Sequence, residues 1–485
     1  MKKTIFLVCA ALLLTLAAYL RTPEYDEAYS LFLTAGHARP AWPAGIFTAG
    51  SVRWAFTGQA GFAAIAANLK SLDVHPPLYF WALELWRRWA GPSWFAARML
   101  SVAFSVASLA LVGRIAALTA RPVLPAMALT LLSYGFAYTG ILARNFALAQ
   151  CLALLGVALL LSAAQRQHRT RALLGGLALG AASFTHYLAS FIGVAMLLWL
   201  ALRRDRRLVL PQAAAGFGLF LLCDLPFFLA QRAARPGQFA PFSWPHALRL
   251  LVRDLGAALF GALPLYAGAA GPLVALFLLL LFAACVMAAW RQRSGPLLLL
   301  AVAPPAGLLL LGLVFGNTPI ELRYLAFSLP FLALFLAPLR GRFLAPLLAA
   351  QSLAVAGLMA APATMQPQAF AARLAAQQPG ALALVPFGND GVGVPGPFIA
   401  AAPGRQRIEI LHGPPPELGA EKKIVLVTPD ADAASRAIAS AALAMLRKNP
   451  CFVEQAATRA AALFADRCAD QHRQGDDHLS AIDPD

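Results

Sequence analysis

The side chains best suited to chemistry fall in short polar stretches between long apolar runs. The first stretch is Tyr25-Asp26-Glu27-Ala28-Tyr29. Two adjacent carboxylates at the edge of an apolar run are costly unless they are solvated, paired or used. The first turn of a helix, whose macrodipole favours acids, also accounts for them. The second stretch is Asp73-Val74-His75-Pro76-Pro77-Leu78-Tyr79. Its prolines fix an extended entry into whatever follows. Structurally it is a rigid turn with a capping Asp; chemically, an Asp and a His two positions apart can bind a phosphate or orient a hydroxyl. The third group is dispersed: Arg144 in Ala143-Arg144-Asn145-Phe146, His186 with Tyr187, and Glu321, Arg323 and Tyr324 at the head of another apolar run. Each alone reads as an interfacial anchor. If the runs between them cross a membrane, they share one side and one depth.

The composition requires such crossings. Of 485 residues, 60 % are hydrophobic and 13 % charged, and the mean hydropathy is +0.67. Soluble domains carry about 45–50 % apolar and about 25 % charged residues. The formal charge of +17 does not mark a nucleic-acid binder, because the arginines sit in clusters between apolar runs rather than along one face. Those clusters read as orientation signals.

Spans are expected at 4–20, 94–113, 122–141, 146–164, 171–185, 187–202, 208–230, 271–290, 295–315, 324–339 and 343–361, about eleven in all. The run 4–20 is long for a signal-peptide core and lacks a small-residue cleavage site, so it is read as a retained first span. Loops 114–121, 166–171, 203–207, 291–293 and 340–342 hold thirteen arginines, and the alternate loops between the later spans, after residue 113, six. Positive loops stay inside. The N-terminus is therefore expected inside, and the 21–77 loop and the chain from 362 outside. Leu78–Ala90 is too short to cross without inverting every later loop. It should lie along the outer interface with Arg87 and Arg88 snorkelling, as should 232–253.

The remaining chain is different material. ALALVPF and KKIVLVTPD are short β-type runs, and 433–446 is an amphipathic alanine-rich stretch. A small α/β domain is expected over 362–470, with a polar, disordered end at 471–485. Cys9, Cys151, Cys223 and Cys285 lie in apolar runs, whereas Cys451 and Cys468 stand alone in this outward segment. That isolation suggests a disulfide. No zinc-type ligand spacing is present.

DEAY after the first span, paired with DVHPPLYFW after the outer loop, resembles the GT-C glycosyltransferases. The likeness is to their protein O-mannosyltransferase and lipid A aminoarabinose transferase branch, and ARNFAL, THYLASF and ELRYLAFSLP resemble further pieces of the pattern. It covers about 1–360. The implied fold is a mainly α polytopic bundle of 1–361, with interfacial helices in the outer loop 21–93. The implied activity is inverting transfer of a sugar from a polyprenyl-phosphate donor, at the outer face of a bacterial inner membrane. The acceptor, whether lipid, glycan or protein, is left open.

On this resemblance Asp26 is the general base and Glu27 the second candidate. The donor-phosphate and substrate-binding set is Asp73, His75, Tyr79, Arg144, His186, Tyr187, Arg323 and Tyr324, with the two arginines meeting the phosphate. A monophosphate donor does not demand a divalent metal. Some of the family use one, which Asp26, Asp73 and His75 could ligate; no metal or other cofactor is assigned. The competing classes are a transporter or lipid flippase, for which Asp224 and Pro226 are the main intramembrane candidates, and a non-catalytic membrane scaffold.

Overall fold

Nearly every apolar run is helical in the computed structural model. The structure describes residues 1–37, 40–203, 208–231, 239–292, 294–361, 365–415, 421–429 and 431–468. The polar end at 471–485, most of the 203–207 loop and the start of the 232–253 stretch lie outside these. The chain divides into two compact units. One comprises Met1–Arg21 and Gly61–Thr364, the other Thr22–Ala60 and Met365–Asp485.

In the first unit seven helices have the length and apolarity to cross a membrane: Lys2–Leu20, Trp94–Leu118, Phe146–Arg166, Leu210–Gln231, Gly268–Trp290, Gly295–Phe315 and Gly341–Ala360. Val123–Leu132 and Tyr134–Ile141 make an eighth if counted together, although they bend by 68° at their junction. The junction is Ser133, whose backbone is extended and whose hydroxyl donates to the Leu129 carbonyl at 2.6 Å. Tyr187–Leu202 and Leu322–Leu336 are shorter apolar helices. The latter is interrupted by a 3-10 turn at Ala326–Ser328. The eleven expected spans thus coincide with helices, but seven or eight among the described residues are long enough to span unaided.

Arg169–Ser183 is the least apolar of the set, and packing explains it. It lies against both Phe146–Arg166 and Leu210–Gln231. Its contact with the latter is backbone to backbone: a Cβ on Gly176 would collide with the Ala213 carbonyl, and one on Gly216 would stand 2.5 Å from the Leu173 carbonyl oxygen. Small residues permit that approach in place of large apolar side chains.

Leu78–Ala90 is a separate 13-residue helix. Arg88 behaves as expected, half exposed and 3.0 Å from Glu84. Arg87 does not snorkel; it is buried near the equally buried Glu84. Burial pushes its guanidinium down to about 10, against the opposing pull of Glu84. Buried Arg98 donates to the Ala18 and Arg21 carbonyls at 2.7 and 2.8 Å. It thereby caps the first helix, whose C-terminal carbonyls favour a cation.

The second unit is built on one six-stranded sheet, in the order β1-β3-β2-β4-β6-β5. The strands are β1 (Phe47–Thr48), β2 (Leu382–Pro386), β3 (Arg407–Leu411), β4 (Lys423–Val427), β5 (Phe452–Ala457) and β6 (Ala461–Asp466). β2 runs parallel to β3 and β4; the other pairs are antiparallel. The two β-type runs of the sequence are β2 and β4. Ala433–Lys448 is the amphipathic helix, started by an Asp432–Ser435 capping box, and it packs on a core including Leu384, Leu426 and Phe464. The unit also takes in 22–60, which the sequence keeps with the spans. Phe47 and Thr48 pair with Ile408 and Arg407, and the Tyr25 hydroxyl donates to Asp390 at 2.6 Å. Cys451 and Cys468 form a disulfide at the open end of the β5–β6 hairpin.

Two outcomes are expected. Gly176→Ala should destabilise the protein by about 1–3 kcal/mol in thermal denaturation. Gly218→Ala, on the partner helix with open space around its Cβ position, should be neutral or slightly stabilising. Equal effects would remove close packing as the cause. For the disulfide, Cys451→Ala should abolish a mobility difference between reducing and non-reducing gels. Opening the 17-residue separation should cost about 3 kcal/mol.

Candidate active site

The helix Phe62–Leu72 ends at Asp73, whose backbone is extended, and Pro77 caps the start of Leu78–Ala90. Asp73 and His75 are held in the rigid turn between. Asp73 is fully buried. One of its oxygens accepts from the Val74 amide at 2.6 Å and lies 2.7 Å from His75 Nδ1. Arg144 Nη2 donates to the other at 3.4 Å. A buried carboxylate facing Nδ1 assigns the proton to that nitrogen. Arg144 Nη2, 3.2 Å from the same nitrogen, is then a close neighbour rather than a hydrogen-bond donor to it.

Arg144 comes from the turn between Tyr134–Ile141 and Phe146–Arg166, and its guanidinium lies 5.5 Å from the centre of the Phe80 ring. Asn145 ties that turn to the next one, donating to the Thr185 carbonyl at 2.8 Å. His186 follows directly. It is buried, and its ring centre is 5.1 Å from that of His75. Phe146, Tyr324 and Phe327 complete its surroundings at 5.0, 5.9 and 5.1 Å. Burial foremost, then His75 and Arg144, holds His186 well below the usual imidazole range, against Asp73. The ring is therefore neutral. Nδ1 accepts from the Leu188 amide at 3.3 Å, so Nε2 carries the hydrogen. That nitrogen is buried without a hydrogen-bond partner. An unused donor beside a guanidinium is a place for an anionic or hydroxylic oxygen.

The other candidates are placed differently. Tyr187 acts through Gln231: its hydroxyl donates to Gln231 Oε1 at 2.7 Å. Gln231 Nε2 in turn donates to the His75 and Leu69 carbonyls at 2.9 and 3.0 Å. Tyr324 lies against His186. Arg323 is 2.5 Å from Glu321 and its guanidinium is 5.3 Å from the centre of the Tyr324 ring. Tyr79 is fully buried with its hydroxyl 3.2 Å from Ser101 Oγ.

Asp26 and Glu27 belong to the second unit, in the first turn of Tyr25–Thr34. Glu27 is fully buried and its carboxylate accepts from the Glu24 amide at 3.0 Å. With the Glu24 side chain this forms a capping box. Asp26 is half-buried.

Gln231, Asn145, Phe80 and Glu24 are absent from the sequence-derived set. Gln231 had one available signal, an amide closing the apolar run that follows Asp224. As for a metal, Asp73 and His75 turn their facing atoms to each other, and Arg144 holds the cationic position beside them. These residues do not fit a metal there. Among the described residues, Cys451, Asp466 and Cys468 are the one group of three close enough to share an ion, and its two thiols are joined.

A family model for dolichyl-phosphate-mannose-protein mannosyltransferases matches residues 74–229. That stretch holds His75, Tyr79, Arg144, His186 and Tyr187. No curated protein matches the chain. Two crystal structures of ArnT from Cupriavidus metallidurans are similar over 95 % of this chain and 97 % of theirs, at 13 % identity. The TM-score is 0.50 for the form bound to undecaprenyl phosphate and 0.52 for the apo form. At that identity the likeness is one of fold. The chain is a polytopic membrane protein with the fold of the GT-C membrane glycosyltransferases.

Proposed function

We propose that this protein transfers a sugar, with inversion, from a polyprenyl-phosphate donor to an acceptor on the outer face of a bacterial inner membrane. The observation that carries this is the buried Asp73–His75–Arg144 cluster with the unused His186 Nε2 beside it. In the reaction the acceptor's nucleophilic atom bonds to the anomeric carbon as the carbon–oxygen bond to the phosphate breaks. The acceptor proton passes to Asp26, and the bonding electrons leave with the polyprenyl phosphate.

Asp26 is preferred to Glu27 because the Glu27 carboxylate is already committed to the capping box. Asp73 fixes the direction of the Arg144 guanidinium. The charges of Asp73 and Arg144 offset each other. The departing phosphate is then met by the remaining N–H groups of Arg144 and of Arg323, itself paired with Glu321, and by the His186 donor. Tyr187 and Gln231 hold the His75 turn, and Tyr324 packs the wall against His186. The GT-C fold and the match over 74–229 support the donor class. The arginine asymmetry of the loops supports an inside N-terminus.

One observation favours the alternative of a transporter or flippase. Asp224 lies in a spanning helix, bound by Ser183 at 2.5 Å, and its other carboxylate oxygen is buried without a hydrogen-bond partner. Substrate flux in proteoliposomes without sugar transfer would establish that function instead.

The assay is sugar transfer from a polyprenyl-phosphate donor in liposomes. Asp26→Asn should lower kcat by about 10²–10⁴-fold with excess donor giving no rescue, and Glu27→Gln should cost less. Near-normal turnover in Asp26→Asn removes that residue as the base, and in both variants it removes the enzyme. Arg323→Ala and Arg144→Lys should raise the donor KM and recover partly with excess donor. Arg144→Ala is a poorer probe, since removing one partner of a buried ion pair costs about 3–5 kcal/mol.

A further inference from the structure

The other end of the Phe146–Arg166 helix carries a second group of arginines. Arg114, Arg166 and Arg171, from three different helices, line a groove of about 270 Å³. Ser162 lies in it and accepts from Arg171 Nη1 at 3.3 Å. Arg114 and Arg166 are exposed, and among the described residues no carboxylate pairs with any of the three. The rest of the lining is apolar, Leu155 and Leu159 included. A helix of 21 residues is about 31 Å long, close to the thickness of the hydrocarbon core. Arg144 precedes one end and Arg166 closes the other, so the groove and the Asp73 cluster lie at opposite membrane interfaces.

We propose that this groove binds the phosphate headgroup of an anionic phospholipid from the leaflet at the arginine-rich end. Three arginines line one groove with no carboxylate paired to them among the described residues, which favours an anion from outside the chain. Guanidinium is the group that pairs phosphate oxygens in parallel. The leucine wall selects the source: a free ion gains nothing from it, whereas an acyl chain beneath a headgroup lies along it. Basic pockets between spanning helices at an interface are the usual setting for such lipids. The site is separate from the proposed transfer reaction and does not depend on it.

The test is native mass spectrometry on the full chain released from nanodiscs of phosphatidylcholine with and without phosphatidylglycerol. The wild type should retain phosphatidylglycerol in preference to phosphatidylcholine. Each of Arg114→Gln, Arg166→Gln and Arg171→Gln should weaken that retention about fivefold, and the triple variant should lose the preference. The exposed positions 114 and 166 can be changed singly if the triple variant does not fold. Equal retention of the two lipids by the wild type, or unchanged retention by Arg114→Gln and Arg166→Gln, would overturn the proposal. Displacement of the lipid by inorganic phosphate would also overturn it, leaving a bare anion site.

Discussion

A fully buried carboxylate, Asp73, sets the terms for the first unit. An ionised carboxylate taken out of water costs several kcal/mol unless its oxygens are paired. Here the Val74 amide, His75 and Arg144 pair them. Two of those partners are local and come with the turn. The third is 71 residues away, so the Asp73 turn and the head of the Phe146–Arg166 helix must meet. Around that contact the remaining ties serve the backbone: Gln231 holds the His75 and Leu69 carbonyls, and Asn145 the Thr185 carbonyl. The Leu69 carbonyl also accepts from the Asp73 amide at the helix end, whereas the His75 and Thr185 carbonyls lie in turns and take a side-chain amide instead.

The same contact explains where helices are broken. Backbone that is not helical is tolerated at membrane depth only when buried in protein or lining a polar space. The irregular stretches of this unit gather there: the turn after Ile141, the 3-10 turn at Tyr187–Ala189, and the 3-10 turn at Ala326–Ser328. Gln150 donates to the Ala326 carbonyl at 2.8 Å, a second bond beside the one from the Leu329 amide. The bend at Ser133 belongs to the same design, because it starts the separate short helix that delivers Arg144.

Much of this is legible in residues that have no cheap alternative. His75 and the two prolines announce a rigid turn, and an arginine at the head of an apolar helix announces a partner. Gln231 is not legible, because a glutamine ending an apolar run reads equally well as a stop signal. Its task appears only when Leu69 and His75 are brought to it. Arg87 is not legible for a related reason: an arginine near the end of a short amphipathic helix has a stem long enough to reach water, and only packing shows that it is buried. In the second unit β2 and β4 are evident as apolar β-type runs. β1 is two residues long and pairs with residues about 360 positions later. No local pattern carries that information, so 22–60 could not be assigned to the sheet from sequence.

The two arginine groups sit differently with respect to one helix dipole. The N-terminal end of Phe146–Arg166 carries partial positive charge and the C-terminal end partial negative charge. Arg144, just before the N-terminal end, is opposed by that field and is held there by Asp73. Arg166, at the C-terminal end, is favoured by it and needs no carboxylate. An anion near Arg144 meets both the guanidinium and the helix N-terminus, the combination that makes such termini phosphate sites. An anion near Arg166 must rely on the arginines alone, against the dipole.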